Sequence, residues 1–245
     1  MSYPRFFVGF DSIDESTVVL TGESAQHISK SLRMKAGEII VVCDTEKKEY
    51  ECVLEGFTAD SVTARIVDVR RNASEPLYNA VVYQACPKSD KMDSIVQKAV
   101  ELGANGIVAF MSDRCIARYD GKDFEKKCAR WQKIAQEAAK QSGRGCVPYV
   151  KWLPDLKSVI CEVSNSGLGF MCYEDEAALT LKELISGCGQ NDFSFIIGPE
   201  GGFSEKEAQA CRDSGIKTVG LGKRILRTET ASGYVLAALS YEKEL

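Results

Sequence analysis

Phe193 to Ser204 reads FSFIIGPEGGFS, and a short way on Leu221 to Ala231 reads LGKRILRTETA. In the first, Phe193, Phe195, Ile196 and Ile197 form an apolar run of strand type that ends in Gly198-Pro199-Glu200-Gly201-Gly202. Ser204 and Glu207 then spell a capping box, which opens a helix. Strand, glycine-rich loop and helix start is the order in which open α/β sheets present ligands. In the second, Thr218-Val219-Gly220-Leu221-Gly222 ends a strand, and Thr228 is placed to cap a helix beginning at Glu229. Lys223 to Arg227 therefore fall in the loop between them. The expectation is of two ligand-type loops closing adjacent strands.

Neither loop is a phosphate cradle. A P-loop needs Lys and then Ser or Thr straight after its glycines, and a dinucleotide turn needs three glycines at fixed spacing. Here Glu200 sits among the glycines, where its charge repels phosphate. The four glycines Gly198, Gly201, Gly202 and Gly222 are grouped at two strand ends, which favours close backbone approach to a ligand over service as plain turn residues. Leu221, Ile225 and Leu226 supply apolar walls.

The rest of this half repeats strand then helix. Strands are expected at Ala80–Ala85, Gly106–Met111, Val147–Val150, Leu168–Cys172, Phe193–Ile197 and Thr218–Leu221. Helices are expected at Lys91–Leu102, Phe124–Gln141, Asp155–Val163, Leu181–Ser186, Glu205–Ser214 and Glu229–Glu242. Apolar strands separated by amphipathic helices imply a mostly parallel sheet covered on both faces, an α/β domain spanning 76–245. Arg114 comes directly after a buried-type strand, which sets a cation at the carboxyl edge where ligands lie. Arg144, between two glycines ahead of Pro148, has a similar claim.

Residues 1–72 alternate in shorter steps, with strands expected at Arg5–Val8, Thr17–Leu20, Ile39–Cys43, Glu49–Leu54 and Val62–Val69. One helix, Glu23–Met34, shows Ala25, Ile28 and Leu32 on one face. This pattern implies a small β-barrel with an inserted helix, bounded by a polar link that Pro76 stiffens. His27 is the one histidine of the chain; on a helix beside apolar positions it reads as a structural hydrogen-bonder before a catalytic base.

The 245 residues suit one large and one small domain. Ten cysteines without a CxxC pair or an apolar leader read as small buried hydrophobes of a reducing cytoplasm, and give no zinc site. No apolar run reaches membrane-spanning length. The net charge of −4 argues against an indiscriminate nucleic-acid binder, yet Arg114 to Lys151 holds ten Lys or Arg against four Asp or Glu, an excess suited to phosphate.

Taken together, IIGPEGGFS and LGKRILRTETA resemble the signature loops of the SPOUT class of RNA methyltransferases. More narrowly they resemble the bacterial family that methylates N3 of one uridine in small-subunit (16S) ribosomal RNA. His27-Ile28, Leu32-Arg33 and Gly37-Glu38 resemble that family's N-terminal PUA-like RNA-binding barrel. Lys88 to Met92, Gln97 to Gly103, Ser112 to Cys115 and Trp131 to Arg144 resemble its catalytic half. The resemblance runs from Arg5 to Tyr241. It implies a deep trefoil knot, a homodimer, S-adenosyl-L-methionine as cofactor and 16S ribosomal RNA, within the small ribosomal subunit, as partner. The implied cofactor set is Cys172, Ile197, Gly198, Pro199, Glu200, Gly201, Gly202, Leu221, Gly222, Ile225, Leu226, Arg227, Thr230 and Ala231. The implied RNA contacts are Arg5, Arg33, Lys88, Lys91, Arg118, Arg144 and Arg224.

Methyl transfer from a sulfonium asks the protein for alignment and for loss of the uracil N3 proton. A guanidinium near the developing uracil anion stabilises it, and Arg227 and Arg114 are the candidates. For the proton, Glu229 and Glu200 are candidates and solvent is the alternative; Glu200 has a competing role in holding a loop through backbone N–H groups. A scaffold that binds RNA or serves ribosome assembly without turnover, and a methyltransferase for another base, are the alternative functions.

Overall fold

A computed structural model describes residues 3–44, 46–176 and 178–245. The chain divides into two compact units, Met1–Glu75 with Ala139–Val147, and Pro76–Ala138 with Pro148–Leu245.

In the first unit, β1 (Arg5–Phe7), β2 (Thr17–Thr21), β3 (Ile39–Cys43), β4 (Lys48–Phe57) and β5 (Ser61–Arg71) form one sheet in the order β1-β3-β4-β5-β2. The β1–β3 pair is parallel and the others are antiparallel. Register shifts at Glu51/Cys52 and Leu54/Gly56 bend the long β4–β5 ribbon, as bulges do, so the sheet curls over one apolar core. Phe6, Val18, Leu20, Ile40, Val42, Leu54 and Val62 fill that core.

The expected Glu23–Met34 helix is shorter. Helix α1 (Gly22–Gln26) passes into a π-helical turn at His27–Ser31, closed by Leu32 N–H donating to His27 O at 2.9 Å. A π turn adds a residue, which rotates the next stretch of chain off the buried face. Ala25 and Ile28 are buried accordingly, whereas Leu32 is 42% exposed. Arg33, at φ 54°, ends the segment. The His27 ring stands edge-on to Phe6, centroids 6.1 Å apart.

The segment 139–147 belongs to this unit because buried polar side chains hold it there. Asn72 Nδ2 donates to Gly143 O at 2.9 Å, and Glu75 Oε1 accepts from Gly145 N and Cys146 N at 2.8 and 3.2 Å. The contiguous division expected at 72–76 did not contain this return of the chain.

The second unit carries a six-stranded, wholly parallel sheet of β6 (Asn79–Ala85), β7 (Gly106–Phe110), β8 (Tyr149–Leu153), β9 (Leu168–Cys172), β10 (Asp192–Ile197) and β11 (Lys217–Val219). Connecting helices are α2 (Lys91–Glu101), α3 (Gly121–Gln141), α4 (Leu156–Ser164), α5 (Leu181–Ile185) and α6 (Glu205–Asp213), with α7 (Thr228–Glu244) last. All of β7 and nearly all of β10 are buried, as strands covered on both faces are. β8 starts after Pro148 rather than at Val147, and Trp152 on it stacks on Phe124 of α3 at 4.8 Å.

The strand order is β11-β9-β10-β6-β7-β8. β10 and β11 are thus not neighbours, contrary to the sequence expectation: β9 lies between them, with Met171 opposite both Ile196 and Thr218. The chain runs outward from β6 through β7 and β8, then returns to the other side of β6. The carboxyl ends of β9, β10 and β11 open side by side beyond that reversal, which is where ligand crevices form in such sheets.

Candidate active site

A cavity of about 820 Å³ occupies the carboxyl edge of β9, β10 and β11. Three loops wall it: Cys172 to Glu176, Ile197 to Phe203, and Gly220 to Thr228 followed by Ala231 on α7. Twelve of the fourteen implied cofactor residues line it: Cys172, Ile197, Gly198, Pro199, Glu200, Gly202, Leu221, Gly222, Ile225, Leu226, Arg227 and Ala231. Gly201 and Thr230 do not. Gly201 turns its carbonyl outward to accept from Arg114 Nη1 at 2.9 Å, and Thr230 is exposed on the first turn of α7.

Local chemistry explains how the GPEGG loop keeps its shape. Ser204 and Glu207 form the expected capping box at the start of α6. The other oxygen of the buried Glu207 accepts from Asp113 N at 3.0 Å, which ties the loop after β7 to the same point. Gly202 stands at φ +64°, and a Cβ there would lie 2.9 Å from Glu174 Oε1. Gly220 is equally constrained, since a Cβ would meet Glu176 O at 2.4 Å.

Glu200 faces Lys88 and Lys91. Its two oxygens accept from Lys88 N at 3.2 and 3.1 Å, and Oε1 pairs with Lys91 Nζ at 2.9 Å. The same Nζ lies 3.2 Å from Glu229 Oε2. Burial pushes the Glu200 carboxyl up, but the Lys91 ammonium and the backbone N–H groups of Glu200 and Lys88 outweigh it, and the group is held below the usual carboxylate range. Glu229 likewise is raised by burial and lowered further by its own backbone N–H, Lys91 and Arg227. Both are weaker bases than a free carboxylate.

Arg227 takes the N-cap position of α7, at φ −65° and ψ 151°, and its carbonyl accepts from Thr230 N and Ala231 N at 2.8 and 2.9 Å. Thr228, expected as the cap, is instead the first helical residue and donates its hydroxyl to Gly198 O at 2.6 Å. Arg227 is exposed at the cavity, as is Arg224, while Ile225 is 84% exposed.

The remaining expected contacts separate. Arg114 clamps the Gly201 carbonyl and does not line the cavity. Arg118 donates to Ser112 O and Asp113 O, bracing its own loop. Lys88 and Arg33 are exposed. Lys91 lines the cavity, neutralised by its two carboxylates, rather than standing ready for phosphate. Arg144 is a correction: it is 2% exposed, with Nε and Nη2 on the Glu75 carboxylate at 2.8 and 3.1 Å. Arg5 is another, because its Nη1 is spent on Glu49 Oε2 at 3.0 Å and Cys43 Sγ at 2.7 Å.

From the strand end after β9 sequence reading took Cys172 alone, whereas Tyr173, Glu174 and Glu176 line the cavity beside it. Their signal was an acidic run placed directly after an apolar strand. Among the described residues, no group of His, Cys, Asp and Glu is arranged to hold a metal, and no helix is long and apolar enough to cross a membrane.

A parallel α/β unit with its cavity at the carboxyl edge, carried with a curled β unit, defines an RNA methyltransferase: the family model described as RNA methyltransferase domain matches residues 73–240, and that described as RNA methyltransferase PUA domain matches 20–67. Ribosomal RNA small subunit methyltransferase E of Bacillus subtilis is 33% identical over 249 residues, covering 98% of this chain and 97% of its own. The protein of that name from Mycobacterium bovis is 30% identical, covering 91% and 86%. The chain belongs to this family of small-subunit ribosomal RNA methyltransferases. A crystal structure of the Neisseria gonorrhoeae member bound to S-adenosyl methionine superposes with a TM-score of 0.84 at 31% identity, over 98% of this chain and 97% of that one.

Proposed function

We propose that the protein transfers the methyl group of S-adenosylmethionine to N3 of one uridine in 16S ribosomal RNA, as a cytoplasmic homodimer acting on RNA of the small ribosomal subunit. The observation that carries this reading is the cavity closed by three strand-end loops, two of them the glycine loops of the sequence. The residues present fit the cofactor. The volume is that of a small-molecule site, the space a Cβ would take at Gly222 in the cavity wall is open, and the walls bear charge of both signs in Glu174, Glu176, Lys223 and Arg224. Those signs suit a ligand with a sulfonium, an ammonium and a carboxylate.

When bound, S-adenosylmethionine supplies an electrophilic methyl whose leaving group is a neutral thioether. The chain aligns and stabilises. Backbone groups of Ile197 to Gly202 and Leu221 to Leu226 hold the cofactor, and the Arg227 guanidinium stabilises the charge that spreads from N3 to the uracil oxygens. Because Glu200 and Glu229 are held below the usual carboxylate range, the N3 proton passes to solvent, and the two carboxylates fix Lys91 and the loop beneath the cavity. Arg114 holds that loop from outside through Gly201 O. Lys88, Arg33 and Arg224 are exposed cations offered to phosphate, while Arg118 braces its own loop.

The homodimer is supported by α7, where Tyr234, Ala237 and Tyr241 leave an exposed, largely apolar stripe at helical spacing. The trefoil knot is part of this proposal through the family's signature loops. Mass spectrometry of 16S rRNA nucleosides from a deletion strain, with and without complementation, tests the reaction: loss and recovery of N3-methyluridine is expected, and an unchanged nucleoside profile would refute it.

A further inference from the structure

We infer that Gln84 is the positioning residue that ties the two glycine loops of the cavity to one another, an inference that rests on the cofactor reading of that cavity. Gln84 pairs in register with Ile197 of β10 and is fully buried. Its Nε2 shares two hydrogens among Ala85 O at 2.9 Å, Thr228 Oγ1 at 2.9 Å and Gly198 O at 3.3 Å. Thr228 Oγ1 donates in turn to Gly198 O at 2.6 Å. One amide thus joins the end of β6, the first glycine of the GPEGG loop and the first residue of α7.

The arrangement has a cost. Gln84 Oε1 is buried without a hydrogen-bond partner among the described residues, and an orphaned buried acceptor is worse for stability than an apolar side chain of the same volume. Turning the amide over would set Oε1 against the carbonyl oxygens of Ala85 and Gly198, with the Thr228 hydroxyl as its one donor, and would take that hydroxyl from Gly198 O. What the amide supplies is a connection the sheet lacks. Because β9 separates β10 from β11, no strand ladder links the loop at Gly198 to the loop ending at Thr228. Gln84 and Thr228 fix that separation by converging on one carbonyl, holding a cavity wall as supporting hydrogen bonds hold a binding constellation.

The test uses the full-length protein and calorimetric titration with S-adenosylmethionine, alongside thermal melting. Gln84→Met keeps the volume and removes both the donors and the orphaned acceptor. Its affinity is expected to fall about tenfold or more while its melting temperature is held or raised, a split that a merely structural residue would not give. Thr228→Val should weaken binding less than additively with Gln84→Met, since both act through Gly198 O, and Thr228→Ser should recover most of that loss. If Gln84→Met folds and binds within about twofold of wild type, the inference is overturned. If it does not fold, the Thr228 pair decides, and equal affinities for Val and Thr overturn it. Wild-type protein that binds no S-adenosylmethionine removes the cofactor reading itself, whereas wild-type binding with unaffected variants removes only the role of Gln84.

Discussion

Arg144→Met separates two uses of an arginine. Between two glycines in a basic stretch, Arg144 reads as a phosphate contact, yet its side chain and that of Glu75 are each 2% exposed. Methionine fills the aliphatic volume and leaves the carboxylate buried, with Lys47 Nζ at 3.9 Å as a distant cation. Removing one partner of a buried pair costs about 3–5 kcal/mol. Gly145 N and Cys146 N still donate to Glu75, which places the loss near the lower figure. About 3 kcal/mol lowers the melting temperature by roughly 6–12 °C for a chain of this size. Adding Glu75→Gln removes the stranded charge while keeping an oxygen for the two N–H groups, so the double variant should recover much of the loss. The pH dependence has a definite sign. Burial raises the Glu75 carboxyl, but Arg144, Cys146 and Gly145 outweigh it and hold it below the usual range. The pair therefore stabilises the fold above the unfolded carboxyl pKa of about 4.3 and ceases to as pH falls through the lower folded value. The gap between wild type and Arg144→Met should narrow on acidification. Calorimetry with RNA-binding anisotropy is the assay: unchanged melting with lost RNA affinity would refute the structural role.

Gly202→Val should weaken S-adenosylmethionine binding by about tenfold or more, because it forces a branched residue to φ +64° and sets a Cβ 2.9 Å from Glu174 Oε1; Gly201→Val, whose Cβ would meet Arg114 Cβ at 3.3 Å, should do less, and titration ranks them. Arg227→Ala should slow single-turnover methylation by about a hundredfold with cofactor affinity nearly unchanged; an intact rate at saturating RNA would exclude the anion-stabilising role. Cofactor affinity should be flat from neutral pH through the ordinary carboxylate range and fall only below it, as Glu200 and Glu229, both held below that range, protonate and release Lys91; an inflection near neutrality, absent from Glu200→Gln, would contradict their lowered pKa. The fragment 1–75 alone should be less stable than the same unit in the whole chain, since Asn72 and Glu75 lose their partners in 143–146; equal hydrogen-exchange protection would show that segment to be dispensable.

The features legible in the sequence are those that lie close along it. The capping box of Ser204 and Glu207 spans one helical turn, and the strand into GPEGG is continuous apolar chain, so both could be read and the parallel α/β unit came from their repetition. Strand order could not, because periodicity labels a strand without naming its neighbour; β9 entered between β10 and β11 with no mark in either. Partner choice was hidden for the same reason. Glu200 sits among glycines as a ligand contact would, but the groups that hold it are Lys88 and Lys91, more than a hundred residues earlier in the chain. Arg144 looks like a free cation until Glu75 closes on it. Gln84 is the extreme case, a single glutamine in an apolar strand that no motif marks. Its weight comes wholly from the two loops that the fold brings to its amide, and a residue of that kind becomes visible only once β9 is known to keep those loops apart.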